Sequence, residues 1–80
     1  MAELPQVDHR EVEAALRRGG FDFHRQKGGH RTMFNPLTNR AATFPVHSGD
    51  MAPPTVHRVL RQAGFTVEEF IALLGKKKRP

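Results

Sequence analysis

Between residues 21 and 46 the chain alternates apolar and polar residues in three short runs, "FDFHRQ" (21–26), "HRTMFN" (30–35) and "RAATFPV" (40–46). A period of two is that of a half-buried strand, whose successive side chains face opposite ways. The breaks between the runs read as turns: "KGG" (27–29), where glycines permit positive φ, and "PLTN" (36–39), with Pro and Asn. Three antiparallel strands joined this tightly make a meander. Phe21 and Phe23 are expected on one side of the first strand, with Asp22, His24 and Gln26 on the other; Phe34 and Phe44 are expected in the core. Pro45 has no N–H to give to a ladder, so the third run ends there or lies at an edge.

Helical patterns flank the meander. Asp8 is a good N-cap with Glu11 three residues on, and Val7 and Val12 have the spacing of a hydrophobic staple. A helix is expected from about His9 to Arg18, with Val12, Ala15 and Leu16 on one face and Gly19-Gly20 ending it. After the loop "HSGDMAPP" (47–54), Val56, Val59, Leu60 and Ala63 fall at helical spacing over Thr55 to Gln62, with Thr55 able to cap and Gly64 as the stop. "FTVEEF" then repeats the opening logic of the first helix, with Thr66 as cap, Glu69 at the third helical position and Phe65 and Phe70 as staple, for a last short helix to about Leu74. The order αβββα(α) predicts an α+β fold: a three-stranded antiparallel sheet with its helices packed on one face.

Eighty residues allow one domain over 1–80, with a core at about 8–74 and a basic tail at 75–80. A chain this short buries only about 60–65% of its unfolded surface. Its 38% hydrophobic residues suffice for one compact core but leave little for a large internal cavity, so no deep metabolite pocket is expected. It has no cysteine, which removes disulfide frameworks, thiolate nucleophiles and the usual structural zinc sites together. No apolar run approaches the about 20 residues of a membrane span, and "MAELPQVDHREVEA" lacks the basic and apolar regions of an export signal. The expectation is a soluble, cytoplasmic chain without membrane association. The net charge of +5 is concentrated in the glycine hairpin and in the tail "GKKKRP" (75–80). Clustered cations favour a polyanion such as nucleic acid, or an acidic protein partner.

Five histidines raise the question of a metal. His9, His24, His30, His47 and His57 include no H-E-x-x-H pair and no i, i+4 couple, so neither a metal site nor a cofactor is expected. His30 stands apart by position, since it opens the second strand directly behind Gly28-Gly29. Successive N–H groups of a glycine turn can cradle an anion, and Arg25, Lys27 and Arg31 add charge there. With an ordinary pKa of about 6.5, an imidazole beside a phosphate can take a proton from one oxygen and return one to another. RNA needs only this much for cleavage, because its 2′-hydroxyl is an internal nucleophile. The residues alone leave His30 open between that role and an ordinary surface histidine. The meander should bring His47, after "FPV", to the same rim of the sheet as His30, where it could orient His30, contact phosphate or cap the strand.

The order of a helix, "GF" (20–21), "RQKGGH" (25–30), "FPVH" (44–47) and "TVHRVLRQAGFTVEEFIALL" (55–74) resembles the HicA family, the toxin half of a type II toxin–antitoxin pair, over about Glu11 to Leu74. The resemblance implies a double-stranded-RNA-binding-domain-like fold and metal-independent mRNA cleavage by a histidine. It also implies a cognate HicB-type antitoxin covering the site. The family's glycine–serine–histidine motif falls on Gly28, Gly29 and His30, with glycine in place of the serine, and carries the catalytic role to His30. On this reading Arg25, Lys27, Gly28, Gly29, Arg31 and His47 contact RNA. Two other readings stay open: a non-catalytic RNA-binding module using the same basic face, and a protein acting chiefly as half of a repressor complex.

Overall fold

Asp8 opens the first helix as its sequence predicts: its Oδ1 accepts the Glu11 N–H at 3.0 Å, and the Glu11 carboxylate accepts the Asp8 N–H at 2.9 Å. This computed structural model describes residues 3–75; Lys76 to Pro80, most of the predicted basic tail, lie outside the described residues. Helix α1 runs His9–Arg18 and is followed by strands β1 (Asp22–Lys27), β2 (His30–Asn35) and β3 (Arg40–Pro45), then helices α2 (Pro53–Ala63) and α3 (Val67–Leu74). The strands form one antiparallel sheet in the order β1-β2-β3. The fold is therefore the small α+β arrangement that the alternation and the caps predict.

Burial is one-sided. Met33 of β2 and Ala42 and Phe44 of β3 join Val12, Ala15 and Leu16 of α1, Val56, Val59 and Leu60 of α2 and Phe70 of α3 in a single core. Phe21, just ahead of β1, is buried too and meets the Phe65 ring edge-on at 5.8 Å between centroids. Each such large side chain contributes roughly 1.5–3 kcal/mol on leaving water, which sets the sheet firmly against the helices. The helices close off one edge as well: Gln62 of α2 accepts the outward Thr43 N–H at 2.9 Å, so β3 is not left with a bare donor there.

Three expectations are corrected. Phe23 is 50% exposed and β1 is solvated along its length; as the far edge strand it makes its main contacts with β2 alone, and its register slips between Phe23 and Arg25. Phe34 is half-buried on the face away from the helices, because Met33 takes the inward position and a strand alternates. Helix α2 begins at Pro53, not Thr55: Pro53 and Pro54 fill the first helical positions, where the missing N–H has no partner to lose, and Ala52 is the N-cap without a side-chain bond. Gly64 stops α2 at φ 84°, as expected.

Phe44→Ala should cost about 3–5 kcal/mol, comparable with the whole stability of a domain this size. Urea unfolding followed by circular dichroism should show the variant largely unfolded in buffer; a midpoint near that of the parent chain would contradict the placement of Phe44 at the centre of the core.

Candidate nucleic-acid interface

The glycine turn consists of Gly28 and Gly29, with Gly28 at φ 58°. A Cβ built on either would meet nothing within 4 Å, so there is open space beside both glycines. Lys27, His30 and Pro45 are successive partners across the three strands. The Pro45 nitrogen, two residues after the outward Thr43 N–H, also faces away from β2, so proline costs the ladder no bond there, and the Val46 N–H continues it to the Gly29 carbonyl at 2.7 Å. That bond brings the "FPVH" segment to the turn and sets His47 at the same end of the sheet as His30, both exposed. The His47 Nδ1 lies 2.9 Å from the Ser48 carbonyl oxygen. A carbonyl only accepts, so Nδ1 carries the proton and Nε2 is left for another partner.

Paired residues on neighbouring strands share a face. Arg25 pairs with Thr32 and Thr32 with Thr43, whose hydroxyls lie 2.9 Å apart, while Lys27 pairs with His30. Arg25, Lys27 and His30 are thus together on the face that no helix covers, and neither Arg25 nor Lys27 has an ion-pair partner among the described residues.

Arg31 is not with them. It pairs with Gln26 and Phe44, on the helix side of the sheet. Its guanidinium binds the Glu13 carboxylate, donates twice to Gln26 Oε1 at 2.8 and 3.0 Å, and sits 5.7 Å from the Phe23 ring centroid. Gln26 in turn donates to the Gly28 carbonyl at 3.3 Å. These bonds form a brace running from α1 through Arg31 and Gln26 to the glycine turn, on the opposite face of the sheet from His30. The signal for this was present in the sequence: Arg31 follows His30 directly, and neighbours on a strand face opposite ways.

Glu13 anchors the brace. Burial alone would raise its carboxyl pKa, but hydrogen bonds and charge from Arg17, at 2.8 Å, and Arg31 outweigh this and hold it below the ordinary value. A concavity of about 560 Å³ at the opposite end of the sheet, lined by Gly19, Asn35, Arg40, Gly64, Phe65 and Leu73 among others, includes none of the expected site residues. Among the described residues no group of three or more His, Asp or Glu side chains is placed to hold a metal ion, and no helix is long and apolar enough to cross a membrane.

Fold and site define a small αβββα protein with an exposed histidine at a glycine turn on an uncovered, cationic sheet face. The family model described as HicA toxin of bacterial toxin–antitoxin matches residues 9–65, from the start of α1 to just past α2, and the chain belongs to that family. It is accordingly a toxin of a toxin–antitoxin system, with a cognate antitoxin as partner. No curated protein matches the chain.

Glu13→Gln should destabilise the protein by on the order of 1–2 kcal/mol at pH 7. A carboxyl whose folded pKa is depressed contributes stability above its unfolded pKa and loses it as pH falls through the folded value. The gap between parent and variant in urea unfolding should therefore shrink as the solution is acidified below the ordinary carboxylate range; a gap that does not change with pH would contradict the brace.

Proposed function

We propose that this toxin is an endoribonuclease that cuts mRNA in the cytoplasm, with His30 as its proton-transfer group. The observation that carries the reading is the place of His30: exposed at the rim of the uncovered face, across from Lys27, behind a glycine turn with open space around it. Family membership supports the same assignment.

Cleavage on this reading begins when the His30 imidazole takes the proton of a ribose 2′-hydroxyl. The 2′-oxygen attacks the adjacent phosphorus, the bond from phosphorus to the 5′-oxygen breaks, and that oxygen leaves with a proton returned from the imidazole. The products are a 2′,3′-cyclic phosphate and a 5′-hydroxyl. Arg25 and Lys27 hold the backbone phosphates, and the N–H groups of Gly28 and Gly29 face the charge that builds on the non-bridging oxygens. With its Nδ1 proton on the Ser48 carbonyl, His47 meets the phosphate or its leaving oxygen through an Nε2–H, that is, as an imidazolium. Arg31 acts through the brace, fixing the turn, and does not touch RNA. No step calls for a metal or another cofactor. A HicB-type antitoxin would silence the toxin by covering the His30 face.

His30→Ala should lower the cleavage rate by about 10²–10⁴-fold, the usual contribution of a positioned acid–base group, with RNA affinity retained and parent activity unaffected by a chelator. A gel assay on a labelled transcript, with end-group analysis for the cyclic phosphate, checks this. Undiminished cutting by the variant would overturn the role of His30; RNA binding without any cutting by the parent chain would favour the non-catalytic module. Lys27→Ala should weaken binding of single-stranded RNA irrespective of sequence and reduce the slope of log affinity against log salt by about 0.7. An unchanged slope in a salt titration would remove Lys27 from the phosphate contacts.

A further inference from the structure

The uncovered face does not end at its cations. Along β2 the residues that share it are His30, Thr32 and Phe34, so Phe34 stands about 13 Å from His30, four strand residues away. Its neighbour is His24, the residue left over where β1 slips register, and the two rings lie 5.9 Å apart between centroids, tilted by 44°. On the other flank the β3 partner of Phe34 is Ala41, an exposed residue with only a methyl group to offer. The half-buried ring is therefore flanked by an imidazole on one side and by the Ala41 methyl group on the other. Five of the six phenylalanines are accounted for elsewhere: Phe21, Phe44 and Phe70 fill the core, Phe65 packs against it, and Phe23 lies under Arg31. Phe34 has no such duty.

We propose that His24 and Phe34 form a base-stacking subsite for a single-stranded RNA segment lying along the outer face of the sheet, a few nucleotides from the bond cut at His30. The face suits that occupant by its sequence of chemistries. Arg25 and Lys27, without acidic partners among the described residues, lie between the ring pair and the turn and can follow a phosphate backbone; the bonded Thr32 and Thr43 hydroxyls make a low floor between them. The acidic residue across from Phe34 is Asp22, whose exposed carboxylate lies 3.6 Å from Arg17. Bases stack on exposed aromatic rings regardless of identity, whereas paired RNA keeps its faces to itself. The subsite therefore selects unpaired stretches of a transcript and sets the register in which the backbone meets His30. It rests on the reading of His30 as the cleaving residue.

The test is a cycle between base and ring, using a fully 2′-O-methylated RNA oligonucleotide that cannot supply the attacking hydroxyl. Abasic positions are introduced one at a time, and affinities are measured for the full chain and for Phe34→Leu, with His24→Gln as a second variant at an exposed position should the first fail to fold. One abasic position should cost the parent chain at least about fivefold in affinity; the same loss should vanish in Phe34→Leu, since base and ring act as one contact. Phe34→Trp should keep it. Abasic losses that persist undiminished in Phe34→Leu and His24→Gln, in a protein that still cuts RNA, overturn the subsite and leave the cleavage reading intact. The subsite is equally overturned if these substitutions weaken only the antitoxin complex. A parent chain that neither cuts nor binds RNA overturns both.

Discussion

The packing of one face of a three-stranded sheet against helices is the constraint from which the rest follows. Met33, Ala42 and Phe44 leave water only if the helix side of the sheet is theirs, and the pleat then sends His30, Thr32 and Phe34 to the other side. A slip of one residue would exchange the two sets and bury the imidazole. In a chain of 80 residues the core and the candidate site are thus two faces of the same strands, and the stability of one sets the geometry of the other.

The cations of the glycine hairpin illustrate the division. Arg25, Lys27 and Arg31 are close in sequence and would all serve a phosphate equally well as charges. Strand alternation assigns Arg25 and Lys27 to the open face and Arg31 to the helix side, where Glu13, Gln26 and Phe23 surround its guanidinium. One arginine thereby becomes structural. Through Gln26 it adds a bond to the Gly28 carbonyl of the glycine turn, beside the one that Val46 makes to Gly29.

Much of this was legible in the sequence because the signals were local. The capping boxes at Asp8 and Thr66 form with the partners expected of them, and Gly64 ends α2 in the left-handed conformation. The αβββα order and the meeting of His30 and the "FPVH" segment at one end of the sheet follow from turn chemistry and strand direction alone. What was not legible depended on the neighbours each strand has. Phe23 alternates correctly with Phe21, but on the edge strand it stays half exposed, with the Arg31 guanidinium rather than a helix against its ring. The ring pair of His24 and Phe34 needed the register slip in β1, which nothing in "FDFHRQ" announces. Pro53 and Pro54 did carry a readable sign of an earlier start to α2, since proline suits the first helical turn, and Thr55 was the weaker choice.

One measurement bears on the central claim, that the face bared by the core packing is the one that acts. In a two-dimensional amide spectrum of the protein titrated with uncleavable single-stranded RNA, the shifted resonances should fall on His24, Arg25, Lys27, the glycine turn, His30, Thr32 and Phe34, with α1 largely still. Shifts gathered on α1 and α3, with the outer strand positions unmoved, would contradict it.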